Sequence, residues 1–538
     1  MLEHINNIGK FVKENNQDMS LMDLMTNTIS SETMEYVLEV NVTQDSIITD
    51  TRDFYKDVVK DALFYQAGRA FMGGGIRLDF YKDSKVKGAC DFCEISDSYE
   101  QVKEAIEGYV TKNGNTKGFA LILIDGKKPA ELFTEKFLDK MYGTTYKKQT
   151  GIHTCQLCGA VDEGYNTAIY KFYTNDKEIY GDYTICKNCI SNMLIGKEYI
   201  EKYLSAYWVG NNVMFLPHQY NEDIEWVYLK NDDNMQQESS KLLERLRNDE
   251  ELVLEELGDK KLKTLTDIVF YKKDGEKTFN LYHVIQDILP SRFSTIAKYL
   301  KLYNLKIYNI LEYVAAVKVN IDKTETTDKE KMKILDAIFR GVEINRTLFF
   351  KRVNNVYKMH YYNDKHKYSI SNINKIYNFM CDCGCLEKGW QVMREYKNYQ
   401  ELFDVNNQYF DTNEKKAWFI LGSLYSYVNY MIKDKKKTSE GETADKTSMD
   451  KNFNFSRRFK FEDFIYFSNF ITDKCKKYSI GTTKYKIMIG EAKDYIAKRE
   501  DKLSQDEAKY IFLWGIDAYF KSEKQEATTE NVEQEGGK

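Results

Sequence analysis

The sequence predicts an α+β fold, and three observations support that prediction. Strand-like runs at 36–42 and 120–124 stand among helical segments in the first third of the chain. Beyond residue 291 apolar residues recur at helical spacing almost without interruption. Two Cys-x-x-Cys pairs stand between these regions, formed by Cys155, Cys158, Cys186 and Cys189. We therefore predict a mixed α/β N-terminal part with an inserted four-cysteine zinc ribbon, then a mostly helical region and a C-terminal four-helix bundle.

The composition is that of a globular protein without a bulk basic character. The 538 residues carry a net charge of −5, with 42% hydrophobic and 30% charged residues. Any contact with nucleic acid must therefore come from local basic patches. The N-terminus lacks the basic and apolar regions of a signal peptide, and no run of about 18 apolar residues predicts a membrane span. We expect a cytoplasmic protein without membrane contact.

The N-terminal domain is predicted over residues 1–150 and begins with a helix over 2–15. Three successive glycines expose backbone N–H groups and let a ligand approach closely, so they are either a phosphate-contacting loop or a flexible turn. No Gly-Lys-Ser/Thr follows them, which excludes a nucleotide P-loop. Lysines near the strand at 120–124 either meet phosphates or form ordinary solvated surface. The candidate contacts of this domain are Gly73, Gly74, Gly75, Arg77, Lys117, Lys147 and Lys148.

The zinc-ribbon module is predicted over residues 151–217. Each Cys-x-x-Cys knuckle places two thiolates on one turn, and two knuckles together make a tetrahedral site of four sulfur ligands that suits Zn²⁺. Four thiolates fill the coordination shell, so the metal is expected to be structural. The 27-residue insert between the pairs is long, and its strand-like run at 168–174 predicts an extra hairpin. Unliganded thiols are the alternative, and His153 is expected to be a bystander.

Five other cysteines leave two interpretations open. Cys90 and Cys93 form a third pair without a partner nearby, and Cys381, Cys383 and Cys385 lie far along the chain. They either join in a second metal site or remain isolated thiols.

The middle region is predicted over residues 218–390. Just before it, Asn211 and Asn212 either serve a turn or reach a base edge. We predict a strand over 226–230, a polar helix over 234–257, a hairpin over 265–281 and a helical pattern almost throughout from 291 to about 400.

The C-terminal bundle is predicted over residues 391–521. Its helices are expected over 413–433, 460–477, 484–498 and 504–521. The first and last share a Glu–aromatic–Gly pattern at a constant offset of 93 residues, with predicted capping boxes that start at Asp411 and Ser504. The glycine in each pattern predicts close helix packing. The polar break at 435–452 and the acidic tail at 522–538 are predicted to be disordered.

Basic residues gather on the middle two helices of this bundle. On a chain of net charge −5, a local basic face is either a strand-binding surface or solvated helix surface. The candidate contacts are Arg457, Arg458, Lys460, Lys476 and Lys477.

The zinc segment also carries a family resemblance. Two knuckles, a helix with Gly196-Lys-x-Tyr199 and an aromatic–Gly turn into a strand ending at Pro217 resemble the large subunit of the type I-B CRISPR Cascade, a crRNA-guided surveillance complex. The segment 288–293 and the terminal bundle resemble that zinc-containing family as well. The resemblance implies a non-catalytic subunit that recognises PAM-containing double-stranded DNA, aids R-loop formation and recruits a trans-acting helicase–nuclease. The implied partners are crRNA, target DNA, and the backbone, crRNA 5′-end-capping and small subunits.

The same resemblance implies that the bundle is also made separately from an internal start. Met393 would give a 146-residue product, and residues 387–389 just upstream can be encoded by purines alone. The sequence contains no HExxH, G-x-S-x-G or P-loop motif, and its six single histidines would need long-range assembly to form a site, so we expect no enzyme. Two alternatives remain, a zinc-ribbon nucleic-acid-processing enzyme such as a nuclease, and a scaffold stabilised by zinc.

Overall fold

The chain divides into two units in a computed structural model. The first unit comprises residues 1–244 and 264–287, and the second comprises 245–263 and 288–538. The structure describes residues 2–15, 34–67, 70–78, 81–113, 117–145, 147–166, 184–229, 242–247, 249–259, 262–274, 278–319, 324–363, 369–387, 389, 396–440, 449 and 457–518. The finer division predicted from the sequence stays a prediction. No helix within these described residues combines the length and the apolar character that crossing a membrane requires.

A mixed four-stranded sheet forms the core of the first unit, in the order β2-β1-β6-β5. Its strands are β1 (Tyr36–Val42), β2 (Ile47–Asp53), β5 (Gly75–Arg77) and β6 (Gly118–Ile124). The predicted strands at 36–42 and 120–124 are therefore confirmed, and they pair with each other in parallel. Alternate residues of β6 enter two different apolar clusters, because successive strand side chains point to opposite faces. Burial on both faces explains its continuous apolar sequence.

Within the described residues, five α-helices and a short hairpin accompany the strands of this sheet along the chain. The remaining elements before residue 146 are α1 (Leu2–Asn15), α2 (Val58–Asp61), β3 (Tyr65–Ala67), β4 (Ala70–Met72), α3 (Asp83–Phe92), α4 (Tyr99–Asn113) and α5 (Pro129–Thr145). The helix predicted over 2–15 is confirmed by α1.

The cysteine segment leads into a second sheet. The cysteine segment contains the three-stranded sheet of β7 (Lys147–Thr154), β8 (Val161–Asn166) and β9 (Thr184–Ile185), followed by helix α6 (Lys187–Tyr203). The next sheet has four strands in sequential order, which are β10 (Ser205–Trp208), β11 (Asn211–Pro217), β12 (Thr266–Asp274) and β13 (Thr278–Ile288). Strands β12 and β13 confirm the predicted hairpin at 265–281. The extra strand predicted at 168–174 lies outside the described residues.

The strand predicted over 226–230 is wrong, because helix α7 (Glu222–Leu229) takes its place. Asn221 starts this helix by accepting a hydrogen bond from the Ile224 N–H at 3.0 Å, and acidic residues fill the first turn. Ile224 and Tyr228, one turn apart, are buried while Trp226 is 62% exposed. Capping and helical spacing thus override the strand propensity of the aromatic run.

The second unit is mostly helical before the bundle. It contains α8 (Glu250–Leu257), α9 (Pro290–Tyr303), α10 (Ile307–Val314), β14 (Ala316–Val319), β15 (Thr324–Thr326), α11 (Asp328–Arg340), α12 (Arg346–Asn363), α13 (Ile370–Asp382) and α14 (Tyr399–Val405). The small β14–β15 hairpin interrupts the helical pattern that was predicted almost throughout 291–400, and its β-branched valines and threonines explain it. The helix predicted over 234–257 is a 3₁₀ turn at 242–247 followed by α8, with residues 230–241 outside the described part.

Four helices form the predicted bundle, with α15 contacting the other three. They are α15 (Asn413–Glu440), α16 (Phe461–Lys477), α17 (Thr483–Ala497) and α18 (Gln505–Asp517). Helix α15 continues to Glu440, so the disordered break predicted at 435–452 is wrong over its first six residues. Most of the rest of this break, and the whole tail at 522–538, lie outside the described residues.

The two predicted capping boxes have different outcomes. The Ser504 hydroxyl accepts from the Glu507 N–H at 3.2 Å, which confirms the predicted N-cap, whereas the Glu507 carboxylate accepts from Arg346 at 2.7 Å. The box at Asp411 is wrong, because α15 begins only at Asn413 and Asp411 pairs with Lys415 at 2.8 Å. Glu414 instead accepts the Glu500 N–H at 2.7 Å, so tertiary packing uses its carboxylate.

Candidate metal centre and nucleic-acid contacts

The four cysteines of the two knuckles converge in the first unit. Cys155 follows β7, Cys158 lies in the next turn, and Cys186 and Cys189 stand at the start of α6. Their Sγ atoms all lie within 4.8 Å of one another, and the Cys155–Cys189 and Cys158–Cys186 pairs are each 3.7 Å apart. In a tetrahedron with metal–sulfur bonds of about 2.3 Å, the sulfur atoms stand roughly 3.8 Å apart. The four thiols therefore have the spacing of a tetrahedral metal-binding site.

Backbone hydrogen bonds hold the first knuckle in shape. The Cys155 N–H donates to the Ala160 carbonyl at 2.7 Å, and the Gly159 N–H donates to the Cys155 carbonyl at 2.9 Å. Gly159 has a φ of +73°, which only glycine adopts readily. Burial raises the pKa of the Cys155 thiol, but amide hydrogen bonds from Cys186, Cys158 and Leu157 outweigh it and lower the pKa to about 7. Burial raises the pKa of the Cys186 and Cys189 thiols, so the first knuckle alone favours the thiolate that a metal requires.

His153 lies beside the cysteine cluster but does not join it. Its Nε2 is 3.1 Å from the Thr150 carbonyl oxygen, and the group of four potential ligands contains cysteines alone. Cys158 is the exposed member and the other three are buried.

The other five candidate cysteines pack as ordinary thiols. Cys90 and Cys93 are buried at the end of α3, and burial raises the pKa of both to about 12. The Cys385 thiol donates to the Ala337 carbonyl at 3.3 Å. Within the described part of the chain, none of these five cysteines belongs to a group of three or more potential metal ligands.

The glycine run is buried in the first unit. Gly73 has a φ of +118°, and a Cβ there would lie 1.7 Å from the Leu63 carbonyl oxygen. A Cβ on Gly74 would lie 2.5 Å from Pro129, and one on Gly75 would lie 2.2 Å from the Phe119 ring. Close packing thus accounts for all three glycines, and a role in contacting nucleic acid stays a prediction.

The remaining candidates of the first unit are spread over several elements. Lys117 pairs with Glu35 at 2.8 Å and Lys148 with Glu163 at 2.6 Å, both on the surface. Asn211 is buried at the β10–β11 turn, where its amide donates to the Val209 carbonyl at 3.4 Å, and Asn212 continues β11. Arg77 is half-buried on edge strand β5, and the Lys147 side chain lies outside the described part.

The basic candidates of the bundle form two groups at opposite ends of α16. Arg457 lies 3.4 Å over the Tyr466 ring and donates to Asp463 at 2.9 Å, next to the exposed Arg458 and Lys460. Lys476 and Lys477 are exposed in the last turn. A helix of this length separates the groups by about 24 Å, so they do not form one patch.

A second group of potential ligands was missed by the sequence reasoning. His4, His218 and Asp267 place their ligand atoms within 4.8 Å of one another. No spacing signal could have found them, because they come from three distant segments. This is the long-range assembly that single histidines require.

Comparison with known proteins places the chain in a family. The central domain of CRISPR-associated protein TM1802 matches residues 152–288, which include all four clustered cysteines. The C-terminal domain of the same protein matches residues 306–530, and the two domains together cover about two thirds of the chain. A search of curated proteins gave no match. The chain therefore belongs to the TM1802 family of CRISPR-associated proteins.

Proposed function

We propose that this protein is the non-catalytic large subunit of a type I-B CRISPR Cascade complex. The observation that carries the proposal is the match to both the central and the C-terminal domain of a CRISPR-associated family. In such a complex the guide RNA reads the target by base pairing, and protein reads the short flanking PAM in the duplex. The resemblance of the zinc segment to the large subunit supports this assignment.

The proposed roles differ between the two ends of the chain. The N-terminal part recognises PAM-containing double-stranded DNA and aids R-loop formation, and the complex then recruits a trans-acting helicase–nuclease. The crRNA, the target DNA and the backbone, 5′-end-capping and small subunits are the partners, all in the cytoplasm. The bundle supplies the strand-binding surface.

Affinity purification of the C-terminally tagged chain from its own host tests the assignment. We expect co-purifying backbone subunits and short RNAs that share a repeat-derived end. The purified complex should bind duplexes from a library with randomised flanking bases in a PAM-dependent way. A chain that purifies alone without RNA contradicts the proposal, and metal-dependent cleavage by that chain would favour the nucleic-acid-processing enzyme instead.

Zinc is the metal that we propose for the four cysteines. Four thiolates at tetrahedral spacing suit Zn²⁺ and leave no position for a substrate, so its role is structural. Cys155→Ser should weaken the thiolate-to-metal absorption that the Co²⁺-loaded chain shows, because one of four thiolates is lost, and His153→Asn should leave it unchanged. Absorption that keeps its full strength after the cysteine change, or falls with the histidine change, contradicts the cysteine-only site.

The two basic groups on α16 can be tested by neutralising one at a time. Each phosphate contact contributes about 0.9 to the slope of log affinity against log salt. Lys476→Gln/Lys477→Gln and Arg458→Gln/Lys460→Gln should therefore each reduce the slope by up to about 2, measured by fluorescence anisotropy on DNA within the complex. Lys502→Gln is the control, because Lys502 is 73% exposed but pairs locally with Glu500. Equal slopes in all three variants would exclude α16 as the binding surface.

An internal start at Met393 is the last part of the proposal, at a position outside the described residues. It would add a separate small subunit that contains the whole bundle. Replacing the Met393 codon with a leucine codon should abolish a short C-terminally tagged band and leave the full-length band. Persistence of the short band would rule out this start.

A further inference from the structure

Three side chains from separate segments of the first unit meet at one point. His4 lies in the first turn of α1, His218 directly follows β11, and Asp267 belongs to β12. Their potential ligand atoms all lie within 4.8 Å of one another. Two imidazoles and a carboxylate in such proximity are the ligand types of zinc and similar transition metals.

The distances suit a single ion. Asp267 Oδ1 is 2.9 Å from His218 Nε2, and Asp267 Oδ2 is 3.6 Å from His4 Nδ1. The two histidine rings stack with centroids 4.0 Å apart, and each places a ring nitrogen within 3.6 Å of the Asp267 carboxylate. With metal–ligand bonds of about 2.0–2.2 Å, tetrahedral ligand atoms stand roughly 3.3–3.6 Å apart. The distance from Asp267 to His4 falls within this range, and the distance from Asp267 to His218 lies a few tenths of an ångström below it.

One ring nitrogen lacks a hydrogen-bond partner. His4 Nδ1 is shielded from solvent and forms no hydrogen bond with any residue that the structure describes. Buried polar atoms normally have a partner, and an orphaned one indicates an unassigned ion or water. The Asp267 side chain is only 3% exposed, so an ion held there would be shielded by protein on that side.

The surrounding backbone fixes the three ligands. The Asp287 N–H donates to Asp267 Oδ1 at 3.0 Å, and the His218 N–H donates to the Leu265 carbonyl at 2.8 Å. Such outer contacts orient metal ligands. Helix α1, which carries His4, packs closely on α6, since a Cβ on Gly9 would lie 1.7 Å from the Asn192 carbonyl oxygen. The site is therefore organised before any ion binds.

We infer that His4, His218 and Asp267 bind a divalent transition metal of the zinc class, separate from the ion of the four cysteines. Three protein ligands leave a fourth position for water or for the Asp287 carboxylate, which is 69% exposed and lies 3.7 Å from His218 Nε2. The ion ties α1 to strands β11 and β12. The inference does not depend on the proposed role in a CRISPR complex.

Cobalt titration of the full-length protein distinguishes the two sites. Co²⁺ on the cysteines gives intense thiolate charge-transfer absorption, whereas Co²⁺ on two imidazoles and a carboxylate gives only d–d bands. We expect two Co²⁺ per chain, with the second equivalent adding no charge transfer. A single equivalent in the unaltered protein, or a second one whose absorption is thiolate-like, overturns the inference without any variant.

Conservative variants then assign the ligands. His4→Gln and Asp267→Asn should each lose the second equivalent and keep the full thiolate absorption, which also reports that the cysteine segment is folded. Cys155→Ser should weaken the thiolate absorption and keep the second equivalent, and His153→Asn should keep both at full strength. Retention of the second equivalent in both His4→Gln and Asp267→Asn would overturn the assignment.

Discussion

Gly422 and Gly515 lie face to face where α15 crosses α18 in the bundle. A Cβ on Gly422 would lie 2.1 Å from the Phe512 carbonyl oxygen, and one on Gly515 would lie 2.2 Å from the Phe419 carbonyl oxygen. Either added Cβ would also stand 3.1 Å from the Cα of the opposite glycine. The two copies of the Glu–aromatic–Gly pattern thus pack against each other, which confirms the close packing predicted from the glycines.

Replacing Gly515 with alanine should therefore destabilise the bundle. The methyl group meets backbone rather than a flexible side chain, so the helices must separate, and overpacking of this kind costs about 1–3 kcal/mol. The better helix propensity of alanine recovers at most about 1 kcal/mol. The free energy of unfolding, measured by urea denaturation with helical circular dichroism, should fall.

Gly490→Ala is the matched control for this prediction. Gly490 lies within α17, and no described atom stands within 4 Å of a Cβ built there. Only the propensity gain then applies, so this variant should be about 0.5–1 kcal/mol more stable than the unaltered protein. Equal effects of the two substitutions would show that the α15–α18 crossing is not tight.

The ion pair of Arg346 and Glu507 joins α12 to the start of α18. Arg346 donates to both carboxylate oxygens, at 2.7 and 3.3 Å, and the Glu507 side chain is only 9% exposed. Arg346→Met leaves this carboxylate without its main partner and should lower the free energy of unfolding by about 3 kcal/mol. The double variant Arg346→Met/Glu507→Met should recover most of that loss, because no buried charge remains unpaired.

The exposed pair of Lys502 and Glu500 provides the comparison. Its side chains are 73% and 50% exposed, so Lys502→Gln should change the free energy of unfolding by less than about 1 kcal/mol. Urea denaturation of the four proteins checks the whole set. A double variant as unstable as the single Arg346→Met variant would show that packing, rather than charge, governs this contact.

Removal of metal should loosen the cysteine segment selectively. The three-stranded sheet of β7, β8 and β9 is small, and structural zinc contributes about 10–16 kcal/mol of apparent binding free energy to small modules. A zinc chelator should therefore increase amide hydrogen exchange in residues 147–166 and 184–203. Protection in α15–α18 should be unchanged, and exchange that stays slow in the cysteine segment would contradict a structural metal.

Local sequence patterns predicted the elements that depend on local physics. The two cysteine pairs bring their own turns, and the bundle helices follow from apolar spacing and from the Ser504 cap. Helix α7 was missed because the aromatic run at 226–230 favoured a strand, and the N-cap at Asn221 was given less weight. The Asp411 box failed because a loop 86 residues away recruits Glu414.

Contacts between distant segments lay beyond the sequence reasoning. The ligand group of His4, His218 and Asp267 and the pair of Arg346 and Glu507 join positions that carry no mutual spacing rule. The basic candidates of the bundle show the opposite error. They are close in sequence and were predicted to share one face, but they lie at opposite ends of α16. Which charges share a surface is decided by tertiary packing.

Lys509 makes the stability of the bundle depend on pH. Burial lowers the pKa of this ammonium to about 8. The unfolded chain therefore binds more protons between about pH 8 and its ordinary pKa near 10.4, and stability rises with pH across that window. Lys509→Met should be more stable than the unaltered protein at pH 7, by up to about 3 kcal/mol, with the advantage shrinking towards pH 10. Urea denaturation at pH 7 and pH 10 measures this difference. The control is Lys493→Met, at an exposed position on α17, which should show no such trend. An advantage of Lys509→Met that does not change with pH would refute a buried charge.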